Sequence, residues 1–240
     1  MLFLIPSSPS SFSLAQEPNG SIPFQSLKEK DRQRVQEVLE HPSFSREVKR
    51  VKFRSQKEVY EYLLDHPDFA AAVSRALKLS KYQIKREGDE YWAQDGFYDK
   101  NGRLRGVKGR FQIIYADQGK RIYFAQGTYD VKRWLPTVHI RAVFVLEFQH
   151  RLDEEGSYVE NNLSGYARID NLFLHFILKI LKPLVSKGME NKVAKTFTMA
   201  KNVSEQAYRD PLAFSRQLEE SPEISPEQLE EFRRVLQCCR

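Results

Sequence analysis

Between Tyr82 and Ile169, apolar and polar residues alternate with a period of two, and this alternation limits the choice of folds more than any other property of the chain. A period of two is typical of β-strands, because successive side chains point to opposite faces of a sheet. Short segments rich in Gly, Asp and Asn interrupt the alternation and indicate turns. The stretch therefore predicts an antiparallel meander of six strands with one buried face. The predicted strands are Tyr82–Arg86, Glu90–Gln94, Leu104–Ala116, Arg121–Tyr129, Val138–Arg151 and Ser157–Ile169.

The segments on either side of the meander predict one further strand and three helices. Val48–Phe53 alternates as a short edge strand, and two short helices follow it. Ser55 and Glu58 have the spacing of a capping box at the start of the first of these helices. Pro67 separates the two helices, because proline disfavours helical geometry at the preceding residue. After the meander, a single long helix is predicted from Asn171 to about Ala207, apolar on almost all sides in its first half.

The two ends of the chain are predicted to be additions to a core domain at residues 48–207. Residues 25–47 predict an N-terminal helical extension, and residues 208–240 predict a C-terminal one. Residues 1–24 are rich in Pro and Ser and contain a small-x-small motif at Ser13-Leu14-Ala15. This leader is interpreted either as the tail of a signal sequence that starts upstream or as a disordered segment. The first interpretation, and with it an exported or periplasmic location, is favoured over a cytoplasmic one.

Composition and charge exclude several classes of protein. Hydrophobic residues make up 41% of the 240 residues, which is enough for a sizeable core. No uncharged apolar run approaches the roughly 18 residues that a membrane-spanning helix needs. Lys and Arg number 38 against 32 Asp and Glu, and the basic residues are scattered among acidic ones, so the pattern favours a mixed solvated surface over a nucleic-acid patch. Cys238 and Cys239 are adjacent, which fits neither a zinc site nor a redox pair.

The order of elements, namely one strand, two short helices, six antiparallel strands and one long helix, resembles the helix-grip fold of the START-like superfamily, also called SRPBCC. The superfamily includes lipid-transfer domains, plant pathogenesis-related allergens, polyketide cyclases and coenzyme Q-binding proteins. The resemblance covers Val48 to about Ala207. The segment Val59–Pro67 is similar to a sequence motif that recurs in the first helix of the family. It implies an α+β fold in which a seven-stranded curved antiparallel sheet wraps around the long C-terminal helix. It also implies a deep apolar cavity between that helix and the sheet.

The residues expected to line such a cavity are mostly large and apolar, and each of them is also what an ordinary packed core contains. Asn161 is the polar exception on the predicted buried face, where an amide needs partners and could orient the polar head of a ligand. The candidate ligand-binding residues are Phe111, Ile113, Tyr115, Phe124, Phe144, Leu146, Asn161, Leu163, Phe173, Phe176, Ile177 and Ile180. A second set could contact a membrane surface or a lipid head group. Its members are Lys132, Arg133, Trp134, His175 and Lys179.

Motifs of the common enzyme classes are absent from the sequence: it contains no Walker A motif, no dinucleotide-binding glycine pattern, no HExxH and no GxSxG. No catalytic residue, metal or cofactor is therefore assigned. The sequence predicts non-enzymatic binding or transfer of a hydrophobic small molecule such as a lipid, a sterol-like compound or an isoprenoid. Two alternatives stay open, a polyketide cyclase or aromatase that uses the same cavity, and a module that binds a partner protein.

Overall fold

The computed structural model describes residues 22–100, 104–130, 137–170 and 196–236, and a seven-stranded antiparallel sheet dominates it. The strand order is β1-β7-β6-β5-β4-β3-β2, so the first strand pairs with the last. The predicted α+β class, the seven-stranded curved sheet and the two short helices after the first strand are confirmed. The strands are β1 (Phe44–Arg54), β2 (Gln83–Glu87), β3 (Glu90–Tyr98), β4 (Leu104–Ala116), β5 (Lys120–Asp130), β6 (Val138–Asp153) and β7 (Gly156–Ile169).

Helices cover both faces of this sheet. A helix that is described over residues 196–209 is called α4, and it lies within the predicted long helix, of which residues 171–195 are outside the described part of the chain. The other helices are α1 (Glu29–Glu40), α2 (Lys57–Asp65), α3 (Pro67–Ala76), α5 (Pro211–Glu219) and α6 (Pro226–Leu236). The last two pack through Phe214, Leu218 and Phe232 against the apolar faces of α2 and α3.

Two local predictions near the first strand are wrong. The strand begins at Phe44 rather than Val48, and a bulge between Val48 and Val51 interrupts its register with β7. Ser45, Arg46 and Glu47 are polar and exposed, which is why no alternation marks the first part of the strand. Ser55 does not cap α2, because the helix starts at Lys57 after Gln56 and the Ser55 hydroxyl donates to the Gln56 carbonyl oxygen at 3.0 Å.

The inner face of the sheet, which carries Ala125, Ala142 and Phe148, packs against α2 and α4. The outer face carries Phe124 and Val143 and is covered by α1, which buries Val35 and Val38 against it. The expectation of a single buried face is therefore wrong at the centre of the sheet. The sequence predicts a helical extension in residues 25–47, but it does not identify the surface against which α1 packs.

The two ends of the sheet differ in what they carry. The upper end is defined here by Tyr98 and Leu104 of the β3–β4 hairpin, together with Asp130 and Val138. The lower end carries the β6–β7 hairpin at Asp153–Gly156, because neighbouring strands run antiparallel. These two ends frame the cavity described next.

Candidate ligand cavity

A cavity of about 570 Å³ lies against the upper half of the inner sheet face. Its walls come from strands β2 to β7 and from helices α2, α3 and α4. The volume is within the range of about 300–1,000 Å³ that small-molecule sites occupy. The sheet therefore carries a space of ligand size on the face where the sequence predicts one.

Small residues at inward-facing positions create this space on the sheet side. Ala125, Ala142 and Ala167 stand side by side on three neighbouring strands, because Ala142 pairs with the other two. Ala93 and Gly109 form another cross-strand pair on the same face, and both line the cavity. Since a packed sheet face is normally filled by larger side chains, these positions leave volume that the sheet itself does not occupy.

The helical walls have the same character. Ala70, Ala71 and Ser74 of α3 line the cavity, and so do Ala200 and Ser204 of α4. Alanine and serine side chains are too short to fill the space between these helices and the sheet. The sheet and the two helices α3 and α4 therefore contribute small side chains to the same space.

Gly109 also pairs with Gly127 across β4 and β5, where the two backbones approach closely. A Cβ atom built on Gly109 would lie 2.7 Å from the Gly127 Cα atom, and one on Gly127 would lie 2.8 Å from the Gly109 Cα atom. Only glycine fits such an approach, so the pair allows the sheet to bend at the cavity wall.

An aromatic cluster fills the lower half of the inner face and forms the floor of the cavity. Tyr60 of α2 lies in edge-to-face contact with Phe53 and Phe148, at ring-centroid distances of 5.7 and 5.4 Å. The Tyr60 hydroxyl donates to the Asn161 side-chain oxygen, and the Asn161 amide donates to the Val51 carbonyl oxygen at 3.3 Å. Asn161 is therefore a satisfied core amide beneath the cavity.

The C-terminal end of α2 is tied to the sheet by an ion pair and two tyrosines. Arg121 donates to both carboxylate oxygens of Asp65, at 2.6 and 2.9 Å, and its side chain is almost fully buried. Tyr91 and Tyr123 donate to the Asp65 and Leu64 carbonyl oxygens at 3.3 and 3.4 Å. These contacts fix the junction of α2 and α3, which forms one edge of the cavity.

Burial sets the protonation state of the phenols at the floor. It raises the pKa of Tyr60 and of Tyr123 well above that of a free phenol, because the phenolate would be desolvated. Both groups are consequently neutral at physiological pH, where they donate hydrogen bonds. Ser204, which is fully buried in the cavity wall, has no hydrogen-bond partner for its hydroxyl among the described residues.

A histidine lies beyond the floor, on the inner face of β6. The His150 ring is in edge contact with Tyr60 and Phe148, and its Nε2 atom is 3.6 Å from Glu61 Oε1. Desolvation lowers the pKa of His150, and the positive charge of Lys57 lowers it further. The imidazole is therefore neutral at pH 7 and is separated from the cavity by the aromatic cluster.

The structure distributes the sequence-predicted ligand residues over three places. Phe111 and Phe144 line the cavity. Leu146 and Leu163 belong to the floor cluster, and Ile113 lies on the inner face opposite Tyr123. Contact of any of these side chains with a ligand stays a prediction.

Two of the predicted lining residues are on the wrong face of the sheet. Phe124 points outward, where α1 covers it and the Arg34 guanidinium lies 4.5 Å from its ring centroid. Tyr115 is also outward, because a bulge between Ile113 and Tyr115 shifts the register by one residue. One extra residue in a strand moves all later side chains to the opposite face.

The remaining predicted residues lie outside the described part of the chain, and their roles stay predictions. They are Phe173, Phe176, Ile177 and Ile180 for the ligand, and Lys132, Arg133, Trp134, His175 and Lys179 for a membrane or head group.

The small residues of the walls are the part of the site that sequence reasoning missed. The candidate ligand-binding residues are mostly large and apolar, and they include neither Ala125 nor Ala142. A usable signal was present, since alanine and glycine recur at inward positions of consecutive strands. This signal indicates a cavity wall only when it is known which residues of neighbouring strands lie side by side. The sequence alone does not supply this register.

Two further classes of site were sought in the described residues. No group of three or more His, Cys, Asp or Glu side chains there is arranged to hold a metal ion. Among the same residues, no helix combines the length and the apolar character that crossing a membrane requires.

Comparisons with known proteins identify neighbours of this fold. No protein-family model matches the chain, and no curated protein does. Among solved structures, the di-domain ARO/CYC protein BexL from the BE-7585A biosynthetic pathway is 12% identical, with a TM-score of 0.43 over 70% of this chain and 53% of that one. The chain thus spans about half the length of BexL. A conserved protein from Geobacillus kaustophilus is 12% identical, with a TM-score of 0.43 over 69% and 95% of the two chains.

Norcoclaurine synthase from Thalictrum flavum is a further neighbour, 12% identical with a TM-score of 0.39 over 67% of this chain and 86% of the synthase. Identities this low concern the fold and not the activity. In the described part of the chain, the order of the strands and the pairing of β1 with β7 agree with the sheet that the sequence resemblance implied.

Proposed function

We propose that this protein binds and carries a hydrophobic small molecule in the inner cavity, without chemical conversion. The observation that carries the proposal is the cavity of about 570 Å³ with small side chains on its sheet and helix walls. A ligand that fills it gains about 0.8 kcal/mol for each CH₂ group removed from water. Shape and apolar area are then sufficient to hold an elongated molecule.

The polar groups of the wall suggest that the ligand is an amphiphile with at least one oxygen atom. The Ser204 hydroxyl is buried without a partner in the described structure, and a buried hydroxyl costs about 1–3 kcal/mol when it makes no hydrogen bond. A ligand carbonyl or hydroxyl near Ser204 would remove this cost. A fatty acid, an isoprenoid alcohol or a sterol-like alcohol has both an apolar body and an oxygen atom that can form this hydrogen bond.

The protonation state of the floor favours binding over catalysis. A cyclase needs ionisable groups that accept and donate protons inside the cavity. Tyr60 already donates to Asn161, and burial keeps both Tyr60 and Tyr123 protonated. These two phenols are poor general bases, so the floor of the cavity does not supply the base that a cyclase needs.

The proposal is tested by what the protein binds and by what filling the cavity does. Native mass spectrometry and organic extraction of the purified chain are expected to yield a hydrophobic molecule. After delipidation, a fluorescent fatty acid is expected to bind, and the Ala142→Leu variant is expected to bind it at least about tenfold more weakly, because the added side chain occupies the cavity.

His139→Leu is the matched control, since it places the same side chain on the exposed outer face of the same strand. It should bind the fluorescent fatty acid as the wild type does. The proposal would be contradicted if the extract contained no hydrophobic compound and if the wild type and Ala142→Leu bound the fluorescent fatty acid equally well. Turnover of a bound compound during incubation would support the cyclase alternative instead.

A further inference from the structure

The tip of the β3–β4 hairpin carries an unusual pair of exposed aromatic residues. Phe97 is 67% exposed and Tyr98 is 64% exposed, and this pair is called the aromatic tip. In the described residues only four large apolar side chains are exposed over about half of their surface or more, and two of them are neighbours here. Single exposed apolar residues are normal, whereas adjacent aromatic rings at the end of a projecting hairpin indicate an interaction surface.

The aromatic tip is continuous with the cavity wall. Asp95 and Val107 form a cross-strand pair that lines the cavity, and Phe97 follows Asp95 by two residues. Because side chains alternate along a strand, Phe97 lies on the inner face and Tyr98 on the outer face. The tip therefore presents one ring on each side of the hairpin, directly above the upper end of the cavity.

The charges of the hairpin complement an anionic surface. Lys100 and Lys108 are exposed on it. Asp99 is paired with Arg105 at 2.9 Å, so its carboxylate is neutralised locally. Lysines near a bilayer that contains anionic lipid add about 1 kcal/mol each to binding, and aromatic rings prefer the level of the head groups.

We propose that the aromatic tip docks this protein on anionic phospholipid bilayers, with Phe97 and Tyr98 inserted among the head groups and the upper end of the cavity facing the membrane. The inference rests on the proposed function, since it explains how an apolar ligand passes between a bilayer and the cavity without crossing water. It also assigns the contact to described residues that sequence analysis did not select.

The test compares two exposed positions at opposite ends of the sheet. Co-sedimentation is measured with vesicles of phosphatidylcholine containing phosphatidylserine and with vesicles of phosphatidylcholine alone. The double variant Phe97→Ser with Tyr98→Ser is expected to bind the anionic vesicles at least about tenfold more weakly than the wild type. The control is Leu152→Ser, because Leu152 is 82% exposed at the lower end and should be irrelevant to docking.

A depth measurement gives an independent readout. The fluorescence that Phe97→Trp adds to that of the native Trp92 and Trp134 is expected to be quenched by brominated acyl chains in phosphatidylserine-containing vesicles, whereas the fluorescence that Leu152→Trp adds is not. Vesicle binding should also weaken as salt is added, because the lysine contribution is screened.

Several results would overturn the docking proposal. The first is equal vesicle binding by the wild type and the tip variant, which is the double variant Phe97→Ser with Tyr98→Ser. The second is a wild type that does not bind vesicles. The third is a wild type that forms a dimer in sedimentation velocity, while the tip variant stays monomeric. Binding of a fluorescent fatty acid in the absence of vesicles separates this proposal from the proposed function. If the tip variant retains fatty-acid binding but loses vesicle binding, both are supported. If neither protein binds the fatty acid while docking depends on the tip, only the cavity proposal fails.

Discussion

Replacing Ala142 by leucine distinguishes a ligand cavity from a packed core, because the two cases predict opposite changes in stability. Ala142 lies at the centre of the cavity wall, and its neighbours across the strands are Ala125 and Ala167. Leucine adds three carbon atoms at this position. In a packed core they have no room, and overpacking typically costs about 1–3 kcal/mol.

In the cavity the same three carbons are removed from water. At about 0.8 kcal/mol each they contribute about 2.4 kcal/mol, and ordering the leucine side chain costs about 0.5–1 kcal/mol. The ligand-free variant is therefore expected to be about 1.5 kcal/mol more stable than the wild type. For a chain of this size that corresponds to a melting temperature about 3–6 °C higher.

The assay is urea unfolding and thermal melting of delipidated protein, with and without added fatty acid. A ligand present at about 100 times its dissociation constant stabilises the wild type by about 2.7 kcal/mol, and the variant should lose most of this response. His139→Leu on the outer face should remain within about 0.5 kcal/mol of the wild type. If ligand-free Ala142→Leu is less stable by 1 kcal/mol or more, the inner face is packed at this position and the cavity argument is refuted.

Three further predictions concern the contacts that hold the cavity floor and edge. Tyr60→Phe leaves the Asn161 oxygen buried without its donor, so urea unfolding should show a loss of about 1–3 kcal/mol; no loss would mean that the hydrogen bond is not formed. Asp65→Asn leaves the buried Arg121 guanidinium without its counter-ion and should lower stability by about 2–3 kcal/mol, less than for a fully buried pair because the Asp65 side chain is 41% exposed. Asp68→Asn on the same junction is its control, expected to change stability by under about 0.5 kcal/mol. The pKa of His150 is lower in the folded than in the unfolded chain, so the folded state binds fewer protons and stability should fall as the pH drops below about 6.5. His150→Phe should flatten this part of the curve in urea unfolding at several pH values, and an unchanged slope would assign the acid sensitivity to other groups.

The fold could be predicted from the sequence because its main signal is local. The period of two between Tyr82 and Ile169 survives in six observed strands, and Pro67 lies in the first turn of α3 as expected. The boundary errors have local causes too. The alternation misses the start of β1 because Ser45, Arg46 and Glu47 are all polar and exposed.

The candidate site could be predicted only in part, because it depends on register between strands. The alternation correctly placed Phe111 and Phe144 on one face, but it could not show the bulge that turns Tyr115 outward. The alternation assigns Phe124 to the wrong face because both faces of the central sheet are apolar. The inner face lines the cavity, and the outer face packs against α1. The ion pair of Arg121 with Asp65 joins residues 56 positions apart, and only the docking of α2 on the sheet brings them together.

The larger difficulty is that a cavity is specified by what its walls lack. Each large apolar residue on an inner face fills space, so selecting such residues tends to identify the packed floor rather than the site above it. The opposite criterion follows from close packing: inward positions occupied by Ala or Gly on neighbouring strands need matching bulk from the facing element. Here Ala125 and Ala142 face helix walls that include Ala71 and Ala200, which are also small. Small residues on both sides of a gap cannot fill it, and the molecule that does is therefore expected to come from outside the described structure.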